Sequence, residues 1–189
     1  MNELHKQYSP EQISKIGNTI IFLASKIDDL SKTKLLKLLY ILDEQSIKKS
    51  GIPFLNLQYQ VWKFGPVSKN IFIELSSSPT ILKEYVERSM SDDNTYIVPK
   101  VDFCDDEFSK NDIELLEKVV DKFGGMNSTE LVSYTHRKGS LWYRVAKENG
   151  VLELLENEVI GDTDYMIDLS DLISNDERKK QIYMDFVED

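Results

Sequence analysis

Between Leu35 and Leu42 the chain reads Leu-Leu-Lys-Leu-Leu-Tyr-Ile-Leu, seven apolar residues in eight positions. At 3.6 residues per turn these side chains cover more than one stripe of a helix. Such a helix is stable only if other elements enclose it on several sides. That requirement predicts a mainly α fold: a single compact helical domain built round this segment. Lys34, Lys37 and Asp43 fall on the polar face that remains. Ser31 is placed to cap the helix start, and Lys48-Lys49-Ser50-Gly51 supplies a stop, with cations in the last turn and glycine just beyond.

The flanking segments supply the enclosing elements. Residues 1–8 read as a short loose arm. Ser9-Pro10-Glu11-Gln12 is a helix start with a capping box and proline at the first helical position. Ile13, Ile16, Ile20, Leu23 and Ile27 follow at helical spacing. Asp28-Asp29 opposes the dipole at a helix end and so marks a turn. Leu57, Tyr59 and Val61 alternate with Gln58 and Gln60, a short strand. Gly65-Pro66 is expected to end that strand and open a helix over Val67–Leu75, because proline presets φ for the first helical turn.

A loop at 76–79 and a short helix over Ile81–Arg88 are predicted next. A turn at 91–94 then leads to a strand at 96–99, which Pro99 confines to an edge, so a small antiparallel hairpin is expected. Ser109 caps a helix whose apolar face is Ile113, Leu116, Val119, Val120 and Phe123. A short helix runs to Tyr134, a loop spans Thr135–Gly139, and Ser140 opens a helix to Glu148. Residues 151–173 are acidic and carry no clear period, and a last helix is read over 174–188. The domain proper is placed at 9–150, with 151–189 an acidic extension packed on it.

Charge divides the chain unevenly. The net charge is −10, but residues 1–100 balance at +2 and residues 101–189 at −12. An acidic half repels a phosphate backbone, which argues against direct nucleic-acid binding, and it can attract a basic protein. A solvated surface that maintains solubility accounts for the same charge. The longest apolar runs, Ile20–Ala24 and Leu38–Leu42, fall far short of the roughly 20 residues that span a bilayer. No apolar leader follows Met1. One cysteine, Cys104, allows no intramolecular disulfide, which fits a reducing compartment. The expected location is the cytoplasm.

Catalytic and metal-binding signals are thin. Two histidines, His5 and His136, and one cysteine make no zinc set. The Asp92-Asp93 and Asp105-Asp106-Glu107 runs lack calcium-loop spacing. A Cys104–His136 dyad is disfavoured because Asp105 and Asp106 would raise the thiol pKa. Eight glycines form no phosphate-binding loop. The expectation is a non-enzyme with no cofactor and no metal.

Three segments instead set an aromatic beside a special backbone residue: Lys34–Tyr40, Trp62-Lys63-Phe64-Gly65-Pro66-Val67, and Thr135-His136 followed by Leu141-Trp142. The tryptophans Trp62 and Trp142 can serve as core anchors or as surface anchors for a partner. His136 can tie its loop by hydrogen bonds. Gly65 and Pro66 set backbone geometry.

These segments resemble the Panacea, or SocA-like, antitoxin domain. Lys34-Leu35-Leu36-Lys37-Leu38-Leu39-Tyr40-Ile41-Leu42-Asp43 is similar to its K-L-Q-K-L-L-Y-x-x-D helix, with Leu36 in place of the glutamine. Trp62–Val67 is similar to its W-x-[YF]-G-P-V turn. Leu131, Thr135-His136 and Trp142 resemble its closing segment. The order agrees, and the layout agrees from about Ile13 to Ala146. Residues after Gly150 match nothing in the pattern.

The resemblance implies an antitoxin that neutralises a cognate protein toxin by direct contact in a type II toxin–antitoxin system, in bacteria or phages. Alternatives are an adaptor that delivers a toxin to an AAA+ protease and a phage-associated transcriptional regulator. Partner-binding candidates are Lys34, Lys37, Tyr40, Trp62, Phe64, His136 and Trp142. Leu35, Leu38, Leu39, Gly65, Pro66, Val67 and Thr135 are expected to be structural.

Overall fold

A computed structural model describes residues 8–91 and 94–188. The described chain is mainly α, with two small antiparallel sheets. Helices are α1 (Pro10–Lys26), α2 (Lys32–Ser50), α3 (Lys69–Ser76), α4 (Lys110–Phe123), α5 (Ser128–His136), α6 (Leu141–Glu148), α7 (Leu152–Glu156) and α8 (Glu177–Glu188). Strands are β1 (Tyr59–Trp62), β2 (Gly65–Val67), β3 (Val86–Ser91), β4 (Asn94–Pro99) and β5 (Met166–Ile167), and a 3₁₀ turn covers Leu169–Ile173. The N-terminal arm read from the sequence falls almost wholly on residues 1–7, outside the described residues; Tyr8 is buried.

Two compact units divide the chain: residues 1–38 with 70–128, and 39–69 with 129–189. The leucine-rich helix α2 contributes its first turns to one unit and the remainder to the other. Leu35, Leu36, Leu38, Leu39, Tyr40, Ile41 and Leu42 are all buried, as a helix apolar on several sides requires. Each leucine so enclosed contributes about 1.5–3 kcal/mol.

The first unit sets α1 against α4 and the β3–β4 hairpin. The capping box at Ser9 is formed: the Gln12 N–H donates to Ser9 Oγ, and the Ser9 N–H donates to Gln12 Oε1. Gly17 lets the hairpin segment approach, since a Cβ there would lie 2.4 Å from Cγ of Tyr85. Asp29 takes a left-handed φ of 52° and makes the expected turn, after which the Ile97 N–H donates to the Leu30 carbonyl at 3.0 Å.

The expected helix over Ile81–Arg88 is not formed. Buried Glu74 accepts from the backbone N–H groups of Thr80, Ile81 and Leu82 at 2.8, 3.0 and 3.2 Å. One turn closes on the Leu82 carbonyl, and Val86 then enters β3 opposite Pro99. The cross-strand pairs of the hairpin, together with burial of Val86 and Ile97, outweigh local helix propensity here.

The second unit holds a three-stranded sheet in the order β2-β1-β5, with α6 against β1, β5 and the 3₁₀ turn. Gly65-Pro66 does not open a helix. Gly65, at φ 95°, closes a two-residue loop at Lys63-Phe64 and pairs with Trp62, so Gly65–Val67 is a strand. Pro66 is tolerated because β2 is an edge strand. The next helix begins only at Lys69. The loop expected from Thr135 begins later as well, because Thr135 and His136 close α5.

The acidic tail is ordered. α7, β5 and the 3₁₀ turn bury Leu155, Ile167, Leu169 and Ile173. α8 buries none of its residues. Among the described residues, no helix is long and apolar enough to cross a membrane. No group of three or more His, Cys, Asp or Glu among them is placed to hold a metal ion.

Candidate partner-binding surface and its buried frame

The polar face assigned to α2 is in fact interior. Asp43, read from its spacing as part of that face, is fully buried, as are Lys37 and Glu44. The reason is local. The chain reverses after Gly51 and lays residues 53–59 back along α2, and Asp43 is the acceptor that holds this return segment.

Asp43 Oδ1 accepts from the N–H groups of Leu55 at 2.7 Å and Asn56 at 3.2 Å. Its Oδ2 accepts from the Leu57 N–H at 3.3 Å and from the Tyr59 hydroxyl at 2.8 Å. Burial pushes the carboxyl pKa up, and these four donors pull the other way. The clamp fixes the entry to β1 and with it the position of Trp62.

Glu44, one residue on, accepts at Oε1 from both Arg137 Nη2 at 2.9 Å and Lys48 Nζ at 2.8 Å. Its Oε2 is buried without a hydrogen bond, and so is the Tyr40 hydroxyl. The Tyr40 ring meets the Tyr59 ring edge-on at 5.1 Å. Burial, reinforced by the Glu44 charge, pushes the Tyr40 phenol well above its ordinary range, and Arg137 only partly offsets this. Arg137 also lies over the Tyr134 ring at 4.0 Å and donates to the Tyr134 carbonyl at 2.6 Å.

The closing segment joins the same frame. The His136 ring stacks flat on Trp142, with centroids 3.6 Å apart and planes 4° from parallel. Trp142 is fully buried, and its Nε1–H donates to the Trp62 carbonyl at 2.9 Å. Trp62 Nε1–H donates to Gln60 Oε1 at 3.1 Å. The Ser140 hydroxyl accepts from the Tyr143 N–H at 3.1 Å and so caps α6, the helix that carries Trp142. Thr135 is buried and donates to the Val132 carbonyl at 2.9 Å. The Tyr40–Asp43 end of the first motif, the Trp62–Val67 turn and the Thr135–Trp142 segment therefore interlock through named hydrogen bonds and ring contacts.

This arrangement sorts the candidate residues by accessibility. Lys37, Tyr40 and Trp142 are buried, and no partner atom reaches them in this conformation. Lys34, Trp62 and His136 are half-buried, and Lys34 Nζ donates to the Gly124 carbonyl at 2.6 Å. Phe64, at the tip of the β1–β2 loop, is 53% exposed with Lys63 Nζ 4.6 Å from its ring centre. The frame residues Leu35, Leu38, Leu39, Gly65, Pro66, Val67 and Thr135 are all buried.

Sequence reasoning did not single out Glu44, Arg137 or Glu74. A carboxylate set directly against a leucine run or inside the apolar α3 was the available signal for two of them. Arg137, one of two adjacent cations after a helix, gave none. Among the described residues, the frame brings together no nucleophile with a positioned base. What it offers chemically is a rigid support for a surface.

The matched residues of known proteins coincide with this frame. Residues 35–143 match the family described as antitoxin SocA-like, Panacea domain. A curated relative, Antitoxin SocA of Caulobacter vibrioides (strain NA1000 / CB15N), is 27% identical over 137 residues, which is 71% of this chain and 70% of the relative. No solved structure matches the chain.

Proposed function

Because the chain belongs to the antitoxin SocA-like, Panacea domain family, we propose that it is the antitoxin of a type II toxin–antitoxin pair. It neutralises a cognate protein toxin in the cytoplasm by direct, non-covalent contact. The observation that carries this reading is the coincidence of the family match, residues 35–143, with the interlocked frame of Asp43, Trp62, Glu44, Arg137, His136 and Trp142. The name of the relative, Antitoxin SocA, points the same way.

The mechanism is steric. A folded surface covers the toxin's working face, and the −12 balance of residues 101–189 draws in a basic toxin and speeds encounter. The experiment is co-expression with the small open reading frame next to this gene. That product is expected to arrest growth alone and to be harmless when this chain is present at comparable level. Arrest that persists with soluble, folded antitoxin present rules the reading out. Intact toxin recovered in a complex supports steric neutralisation, whereas its protease-dependent disappearance supports delivery to an AAA+ protease.

A further inference from the structure

We propose that the outer face of residues 148–176, extended by Phe64, is the surface on which a basic protein partner docks. This rests on the antitoxin reading and names the toxin's contact site.

The segment leaves large apolar side chains in solvent although it is firmly folded. Leu154 is 40% exposed, Val159 66%, Tyr165 41% and Met166 48%. The backbone beneath them is pinned to β1. The Val61 N–H donates to the Tyr165 carbonyl at 3.0 Å and the Lys63 N–H to the Gly161 carbonyl at 2.9 Å. Thr163 Oγ1 donates to the Val61 carbonyl at 2.6 Å, and Met166 pairs with Gln60 in register. The inward residues Leu155, Ile167, Leu169 and Ile173 are buried beneath. These exposed apolar groups therefore sit on an ordered support, so little ordering cost attends their burial by a partner.

Charge identifies the occupant. From Glu148 to Asp176 inclusive the chain has nine carboxylates and no lysine, arginine or histidine, close to the whole net charge of −10. Glu153, Glu156, Asp162 and Asp164 are exposed among the apolar side chains. Cations from outside the segment reach it at three points: Lys63 to Glu158 at 3.1 Å, Lys69 to Asp164 at 3.6 Å and Arg144 to Asp171 at 2.5 Å. Lys179, past its end, reaches Asp176 at 3.5 Å. These four pairs offset four of the nine negative charges, and the segment stays acidic.

Lys63, which pairs with Glu158, also lies over the Phe64 ring, so Phe64 continues the same face. Exposed apolar side chains interspersed with carboxylates fit a protein surface with apolar pockets and lysines or arginines among them. A phosphate backbone is repelled by this face, and a second copy of the chain would bring like charge against like. The segment also lies outside residues 35–143, the part shared with the family, so it can carry contacts particular to one partner.

The test uses the full chain and the product of the neighbouring toxic open reading frame. Binding is measured at about 50 and 300 mM salt. Tyr165→Ser with Met166→Ser is expected to weaken binding by about 30-fold or more. Glu156→Lys with Asp162→Lys is expected to weaken it by about 10-fold or more and to flatten its salt dependence. Met90→Ser, at an exposed site in the other unit, is expected to stay within about 2-fold.

All substituted residues are exposed, and circular dichroism melts confirm folding. Hydrogen exchange is expected to slow at residues 153–168 in the complex. Wild-type rescue and binding combined with unchanged affinity in both double variants overturn this surface and leave the antitoxin reading standing. Failure of the wild type to bind or rescue overturns both. Binding of a duplex oligonucleotide, or a dimer abolished by the Tyr165/Met166 variant, assigns the face to another occupant and overturns the proposal.

Discussion

Lys37→Met turns one buried charge into a stability measurement. Lys37 is 1% exposed, and burial pushes its pKa from the ordinary 10.5 down to about 7. Between those values the unfolded chain holds a proton that the folded chain has released, so stability rises with pH across that window. The cost of burial is fully present below about pH 7 and is gone above 10.5. Every tenfold change in proton affinity is worth about 1.4 kcal/mol, so the full cost is on the order of 5 kcal/mol.

Methionine keeps the length and apolar character of the stem and carries no charge, so it abolishes the proton linkage without opening a cavity. The variant's stability is expected to lack this rise between pH 7 and 10.5. Across about pH 7.5 to 9.5, wild type gains on the order of 1 kcal/mol for each pH step of one relative to the variant. Urea unfolding at several pH values reads both slopes. A wild-type-minus-variant difference that stays flat with pH refutes the assignment of Lys37 as a lysine deprotonated by burial.

Three further substitutions probe the frame. Asp43→Ala strands the buried N–H groups of Leu55 and Leu57 and the Tyr59 hydroxyl, so a loss of about 4 kcal/mol is expected in chemical denaturation. Tyr40→Phe deletes a buried hydroxyl that makes no hydrogen bond, so the melting temperature is expected to hold or rise slightly, by about 0–1 kcal/mol in stability. Gly17→Ala drives a Cβ to 2.4 Å from the Tyr85 ring, and a loss of roughly 1–3 kcal/mol is expected together with a changed Tyr85 ring signal in NMR.

Elements governed by local rules were legible in the sequence. The Ser9 capping box, the leucine-rich α2, the Ser109 and Ser140 starts and the alternation at Tyr59 and Val61 depend on neighbours within a few residues. The misreadings share one cause, a distant acceptor or partner strand. Gly65-Pro66 has the composition of a helix start, but pairing with β1 claims it. Residues 81–88 have helix-compatible composition, but Glu74 and the β4 strand claim them.

Asp43 and Lys37 looked solvated because periodicity records which side of a helix they share. It does not record whether the chain returns to cover that side. The motif residues were visible as a set, but their division into buried frame and exposed Phe64 depends on tertiary packing. For the acidic tail, length and charge were legible. Its docking as β5 beside β1 was not, because a two-residue strand carries almost no period.

Under the proposed function this chain acts by occupying a partner and not by transforming it. Residual toxin activity titrated against increasing amounts of this protein tests that claim directly. A linear fall to a break at a fixed whole-number molar ratio, unchanged by longer incubation, is expected. Loss of toxin activity at substoichiometric amounts, deepening with time, would contradict it.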